Sequence, residues 1–207
     1  MNGLYDANSG KRAFKPPLEA HSIVNAKKEH ITQIAAISDK ELGEGFLNYD
    51  DIMEKILDKN SHICKVALID KLVAGFCLSK IVNQSEICDY LHVDQANLPE
   101  YVNRADKIGV LKTIAVDHNV HRHGVGHALT LAAYNDFIKR DIQAISSIAW
   151  KNGEQINADR LLSALGLHPH IEIKSYWKAD GIKNNYNCSA CGPPPCRCSA
   201  MLYFKAV

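Results

Sequence analysis

The sequence predicts an α/β fold, of the mixed α+β kind, with helices packed on one sheet. Apolar segments typical of strands alternate with segments whose apolar residues recur at helical spacing. Their order is strand, two helices, several strands, helix, strand, helix and two strands. The segments "HICKVALID" and "LVAGFCLSKIV" are joined by a short turn, which predicts an early hairpin.

The first half of the chain predicts an arm followed by a strand and two helices. Residues 1–18 are mostly polar and contain Pro16-Pro17, so we expect a poorly ordered arm before one domain over residues 19–207. The strand is "HSIVNA", and the amphipathic helices are "KKEHITQIAAISDKEL" and "NYDDIMEKILDK". Gly43 and Gly45 lie between the helices and end the first one.

The second half predicts a central strand, helix and strand unit. "VLKTIAVD" is a strand, "GVGHALTLAAYNDFIKR" a helix and "AISSIAW" a strand. The preceding segment "ICDYLHVDQANLPEYVNRAD" is polar and predicts a loop with helical turns. A short helix, "NADRLLSALGL", ends at Gly166. "HIEIKSYWKA" and "AMLYFKAV" are the last two strands, and a cysteine cluster lies between them.

Composition excludes several partner classes. With 46% hydrophobic and 23% charged residues, the chain resembles an ordinary globular domain. Its formal net charge of +1 gives no electrostatic basis for a nucleic-acid or membrane partner. The sequence shows neither a membrane-length apolar run nor a signal peptide, so we expect a cytoplasmic protein with reduced thiols. The oligomeric state stays open, with a homodimer among the alternatives.

The segment "LKTIAVDHNVHRHGVGHALTLAAY" predicts an anion site. A strand leads through a loop with Gly124 and Gly126 directly into a helix. Backbone N–H groups at a helix N-terminus lack partners inside the helix, and glycine lets a phosphate approach them closely. Arg122 adds charge, and so do three histidines when they are protonated: His121, His123 and His127.

This segment resembles the acyl-CoA site of the GNAT superfamily of N-acyltransferases. In that family an aliphatic strand end precedes a loop with Gln or Arg, two residues, Gly, one residue, and Gly or Ala. Here Ile114-Ala115-Val116 is the strand end, and His121 stands at the Gln or Arg position before Gly124 and Gly126. The resemblance extends by element order over roughly residues 20–207.

The resemblance implies a twisted mixed sheet that splays at its centre and binds an acyl-CoA co-substrate, with acetyl-CoA expected. The pantetheine arm would lie in the split, and the pyrophosphate would sit on the N–H groups of residues 122–127. The implied CoA-binding residues are Ile114, Ala115, Val116, His121, Arg122, His123, Gly124, Val125, Gly126 and His127. The implied reaction is direct attack of a primary amine, from a small molecule or a protein, in a ternary complex.

The catalytic residues are open at the sequence level. Many members of the family use a Tyr four residues before the glycine that ends the short helix, and this chain has Leu162 there. Alternatives for protonating the thiolate are Ser163, Tyr134, Tyr176 or water; otherwise the protein binds acyl-CoA without transfer. The catalytic candidates are His92, Lys112, Asp117, Tyr176 and Glu44.

The four clustered cysteines predict a metal site. Cys188, Cys191, Cys196 and Cys198 have the spacing C-x2-C, four residues, C-x-C. Four thiolates suit tetrahedral zinc, and a closed set of four ligands indicates a structural ion. Disulfides, a redox pair and iron–sulfur ligation are the alternatives. We expect an insertion over residues 181–199 that stiffens the last hairpin and shapes acceptor recognition.

Three functions follow in order of support. The first is an acyl-CoA-dependent N-acyltransferase with a structural zinc knuckle. The second is a catalytically weak acyl-CoA-binding module acting through protein contacts of the knuckle, which the replacement of Tyr by Leu162 favours. The third, a nucleic-acid-binding zinc protein, is disfavoured because Arg197 is the only basic residue within the cysteine cluster.

Overall fold

The computed structural model describes residues 21–207, so the arm predicted over residues 1–18 lies outside the described residues. One sheet has the strand order β1-β2-β3-β4-β5-β8-β7, with β6 paired to β5 beside this path. Only β4 and β5 run parallel, and the other neighbours are antiparallel. The strands are β1 Ser22–Asn25, β2 His62–Ile69, β3 Leu72–Asn83, β4 Lys107–Val116, β5 Ala144–Asn152, β6 Gln155–Ile156, β7 His168–Ile173 and β8 Ser199–Ala206.

Seven α-helices accompany the sheet within the described residues, which confirms the mixed α/β prediction. None of them combines the length and the apolar character that crossing a bilayer would require. Four single-turn 3-10 helices lie at Lys28–His30, Gln84–Glu86, Gln95–Asn97 and His118–Val120. The α-helices are α1 Ile31–Glu41, α2 Tyr49–Leu57, α3 Ile87–Leu91, α4 Glu100–Asn103, α5 Val125–Ile138, α6 Asp159–Ala164 and α7 Lys178–Asn184.

Helices cover both faces of the sheet because side chains alternate along each strand. On β3, Phe76 packs with the residues of α1 and α2, whereas Cys77 packs with those of α5. The packing of α5 is close: a Cβ at Gly109 of β4 would lie 2.8 Å from the Phe137 ring. Glycine therefore lets this helix approach the strand.

The sheet splays between β4 and β5. Their pairing extends only from Ile108–Leu111 on β4 to Ala144–Ser147 on β5. Beyond these residues β4 keeps its pairing with β3, and the two central strands diverge. The register with β3 shifts between Leu111 and Thr113, so Lys112 lies in a bulge at the point where the split begins. The split implied by the resemblance is therefore present.

The last predicted strand pair differs from the structure. "HIEIKSYWKA" forms a strand only as far as Ile173, because the chain then turns, with Ser175 at φ 53°, and enters α7. The four clustered cysteines lie between α7 and β8. The polar segment before β4 contains α3 and α4, in agreement with the predicted helical turns.

Candidate functional site

A cleft of about 150 Å³ occupies the split between β4 and β5. The diverging strands form its floor, and the α1–α2 loop, the β5–α6 connection and the segment between β7 and β8 form its walls. Its surface is mostly apolar and aromatic. The lining residues are Leu42, Phe46, Leu111, Lys112, Thr113, Ile114, Ser147, Ile148, Ala149, Trp150, Asn157, Ala158, Tyr176, Trp177, Tyr186, Cys188 and Cys196.

Backbone groups of β4 face this cleft. The Asp117 N–H donates to the Ala74 carbonyl at 2.9 Å, so the odd-numbered residues at this end of β4 bond to β3. Backbone direction alternates along a strand, and Ile114 and Val116 therefore turn their N–H and C=O groups to the open side. The His121 ring nitrogen Nε2 lies 2.7 Å from the Val116 carbonyl oxygen. This contact occupies the Val116 carbonyl, which leaves the Ile114 groups and the Val116 N–H to pair with an amide-containing ligand.

The loop after β4 ends in a helix N-terminus that can hold an anion. Arg122 and Gly124 adopt left-handed conformations at φ 67° and 81°, and α5 begins at the next residue, Val125. Among the hydrogen bonds of the described residues, none uses the backbone N–H groups of residues 122–127 as donors. Unpaired N–H groups and the dipole of a long helix attract phosphate.

The loop glycines leave room for such a ligand. A Cβ at Gly124 would have no neighbour within 4 Å, and one at Gly126 would meet only Val116 Cγ2 at 3.6 Å. The fold itself therefore does not need a glycine at position 126. Close approach of a ligand to the backbone does need one.

Two of the five catalytic candidates lie at the cleft. Lys112 projects from the bulge of β4, with Nζ 4.8 Å from the centroid of the Tyr90 ring. Although solvent reaches this side chain through the cleft, desolvation by the surrounding protein lowers the pKa of Lys112. Burial raises the pKa of Tyr176, so its hydroxyl stays protonated at neutral pH.

The other three candidates lie elsewhere. His92 lines a separate polar cavity beside β7, and its ring centroid lies 5.6 Å from that of Tyr176. Asp117 accepts a hydrogen bond from the Asn119 N–H at 2.9 Å, which lowers its pKa. Glu44 is exposed on the α1–α2 loop and does not line the cleft.

Leu162, which stands in place of the usual Tyr, has no acidic group. Its side chain is fully buried in the core formed by α5 and α6. Of the alternative hydroxyls, Tyr134 accepts a hydrogen bond from Lys205 Nζ at 2.8 Å, and Ser163 is exposed on α6. Neither lines the cleft. Tyr176 is therefore the one of these three that reaches it.

The four clustered cysteines meet at one point. Their Sγ atoms all lie within 4.8 Å of one another. The Cys188–Cys198 distance is 3.9 Å and the Cys191–Cys196 distance is 3.5 Å. Tetrahedral zinc with bonds of about 2.3 Å needs sulfurs about 3.8 Å apart, whereas a disulfide needs about 2.05 Å. These distances fit a metal ion better than any disulfide pairing.

Backbone bonds fold the knuckle formed by residues 187–198. The Cys188 N–H donates to Gly192 O, and the Gly192 N–H donates to Cys188 O, both at 2.9 Å. Gly192 has φ 77°, which permits the tight return. Trp150 and Trp177 pack against the cysteines. The sulfur cluster is therefore part of the wall of the cleft.

Sequence reasoning missed most of this aromatic wall. Phe46, Trp150, Trp177 and Tyr186 all line the cleft, and so does Asn157. Trp177 and Tyr186 stand close to the cysteines in "SYWKADGIKNNYNC". That proximity is the signal that could have indicated them.

Comparison with known proteins supports the same architecture. Neither a protein-family model nor a curated sequence matches the chain. Among solved structures, Arabidopsis thaliana NAA60 in complex with acetyl-CoA is similar with TM-score 0.65 and 10% identity, covering 91% of this chain and 99% of that one. The Escherichia coli ribosomal-protein-S18-alanine N-acetyltransferase gives TM-score 0.60 and 14% identity, with 91% and 94% covered.

A Drosophila melanogaster polyamine N acetyltransferase also matches, with TM-score 0.60 and 11% identity over 91% of this chain and 100% of that one. Identities this low establish architecture only. The chain therefore has the fold of the GNAT N-acetyltransferases.

Proposed function

We propose that the protein is an acyl-CoA-dependent N-acyltransferase that uses acetyl-CoA and a primary amine. One observation carries the proposal: a helix N-terminus with unpaired N–H groups, an unpaired stretch of β4 and an aromatic pocket follow one another along a single split. A pyrophosphate, an amide-containing arm and a thioester need sites in that order. The pocket then lies at the thioester end, where the acceptor must arrive.

The reaction needs the amine lone pair to attack the thioester carbonyl while both substrates are bound. The new C–N bond forms, the C–S bond breaks, and the thiolate takes up a proton as the amine nitrogen loses one. We assign Lys112, whose pKa is lowered, the role of accepting the proton from the amine. We assign Tyr176, which stays protonated, the role of donating a proton to the thiolate. Backbone groups of Ile114 and Val116 orient the donor.

The direct test is release of CoA thiol in a screen of amines. Because solved neighbours include a ribosomal-protein-alanine enzyme and a polyamine enzyme, the screen contains N-terminal peptides, polyamines and small monoamines. We expect turnover with at least one class and saturable acetyl-CoA binding in calorimetry. A protein that does not bind acetyl-CoA would refute the proposal.

The second candidate, an acyl-CoA-binding module without transfer, is favoured by the core position of Leu162. Acetyl-CoA binding without thiol release from any amine would support it.

We also propose that Cys188, Cys191, Cys196 and Cys198 hold one structural zinc ion. The mutual sulfur distances support this, and a cytoplasmic location would keep the thiols reduced. Metal analysis should find one zinc per chain in wild type and loss of zinc in Cys188→Ser. A well-folded wild type without bound metal would overturn this part.

A further inference from the structure

The knuckle presents its own metal-binding side to the cleft. Cys188 and Cys196, two of the four sulfur residues, line the pocket, and both are more than nine-tenths buried. Tyr186 stands two residues before Cys188 and lines the same pocket. The shape of the pocket on this side therefore depends on how the cysteines are held together.

The segment that carries the cysteines also forms hydrogen bonds to the α1–α2 loop, which is the opposite wall of the pocket. The Asn187 N–H donates to Glu44 O at 3.0 Å, and the Ser189 N–H donates to Leu42 O at 3.3 Å. The rings of Phe46 and Tyr186 meet edge to face, with centroids 5.2 Å apart. The knuckle and the α1–α2 loop thus form one continuous wall around the pocket.

Gly43 permits this contact. It adopts φ 136°, and a Cβ there would lie 1.8 Å from the Asn187 carbonyl oxygen. Gly45 also has a positive φ, of 79°, but a Cβ there would meet Tyr186 Cβ only at an ordinary 3.7 Å. Substitution of either glycine would strain the backbone, because both have a positive φ. Of the two, only Gly43 is in close contact with the knuckle.

The Tyr186 side chain adds aromatic surface to this wall. Tyr186 is 4% exposed, its hydroxyl is closed off from solvent, and the Asp180 carboxylate lies close to that hydroxyl. Asp180 also accepts a hydrogen bond from Asn184 Nδ2 at 2.7 Å. Tyr186 therefore offers the pocket its ring rather than a polar contact.

The charges at the cleft argue against a polycation. Among the described residues that line it, Lys112 is the charged one, and no carboxylate is present. The Asp180 carboxylate acts on Lys112 from outside the lining, so a second ammonium group would have to compete with Lys112 for that one counter-charge. An aromatic wall and a small volume suit a compact apolar group instead.

We propose that the metal-supported knuckle determines acceptor specificity. Together with the α1–α2 loop it completes a pocket for a primary monoamine carrying one compact apolar group, to which Phe46 and Tyr186 present aromatic surface. The inference rests on the proposed function for its chemistry. The pocket itself can be tested by binding alone, because Trp150 and Trp177 line it and are the two tryptophans of the chain.

The experiment compares wild type, Gly43→Ala, the matched control Gly45→Ala, and Phe46→Leu in the zinc-loaded protein. Phenylethylamine and spermidine are the probes, titrated by tryptophan fluorescence and, where thiol is released, by kinetics. We expect wild type to bind phenylethylamine at least tenfold more tightly than spermidine. Gly43→Ala and Phe46→Leu should each weaken the binding of phenylethylamine at least fivefold.

Gly45→Ala should stay within twofold of wild type, and all variants should keep their acetyl-CoA affinity. Removing zinc with a chelator should weaken the binding of phenylethylamine as Gly43→Ala does, and returning zinc should restore that binding. Preference for spermidine, or unchanged phenylethylamine binding in both Gly43→Ala and Phe46→Leu, would overturn the inference. If the wild type does not bind acetyl-CoA, the proposed function is refuted instead. The amine titration would still show whether the pocket binds the monoamine.

Discussion

Substitution of Gly126 by Asp tests the proposed anion site, which is formed by the loop after β4 and the start of α5. A Cβ at this position meets only Val116 Cγ2 at 3.6 Å, and the backbone there is not left-handed, so the fold accommodates a side chain. Alanine in a helix is more favourable than glycine by up to about 1 kcal/mol. Gly126→Ala should therefore keep or raise the thermal midpoint, and it separates the effect of bulk from that of charge.

The aspartate charge supplies most of the expected effect. A carboxylate about 5 Å from a bound phosphate costs about 3 kcal/mol at an effective dielectric constant of about 20. That corresponds to a Kd for acetyl-CoA more than about 100-fold weaker. Calorimetry with acetyl-CoA at constant ionic strength measures it. An unchanged Kd in Gly126→Asp, with the thermal midpoint retained, would refute the placement of the pyrophosphate on this turn.

Three further predictions concern catalysis and stability. Lys112→Met should lower kcat about 100-fold or more with an unchanged acetyl-CoA Kd, since it removes a proton-transfer group; an unaltered kcat would exclude that role. Burial alone would raise the pKa of Asp136, but its ion pairs with Lys65 (2.6 Å) and Lys139 (3.4 Å) together lower that pKa. Its stabilisation is present above the unfolded pKa of about 3.9 and is lost as pH falls through the folded pKa. Asp136→Asn should therefore destabilise the protein to urea at pH 7 and much less near pH 2, and equal losses would contradict the assignment. Gly109→Ala should cost about 1–3 kcal/mol, because its Cβ would lie 2.8 Å from the Phe137 ring; an unchanged urea midpoint would show that the ring yields freely.

The strand, turn and helix of the proposed anion site could be predicted because they follow one another directly in the sequence. A strand, a glycine-containing turn and a helix follow one another within "TIAVDHNVHRHGVGHALT", and local geometry alone orients the N–H groups. The early hairpin and the helix α5 were predicted for the same reason, since their periodicity is local. The sulfur cluster belongs to this class too, because its four residues lie close together along the chain.

The pocket proposed for the acceptor could not be predicted in this way. Its two walls come from the α1–α2 loop and the knuckle, which are far apart in sequence and meet only through tertiary packing. Gly43 appeared as a helix-ending residue, whereas the structure places it against Asn187. The strand predicted beyond Ile173 fails for a related reason, because Ser175 turns the chain away from β8.

The split between β4 and β5 also bears on aggregation. Beyond Leu111, β4 carries unpaired backbone groups on the side of the cleft, and an open strand edge invites pairing with another chain. Here that edge faces β5 and aromatic side chains within a cavity of about 150 Å³. A second polypeptide strand with its side chains needs more room beside β4 than this cavity offers. The geometry that leaves space for the proposed donor thus also keeps this stretch of strand edge from pairing with another chain.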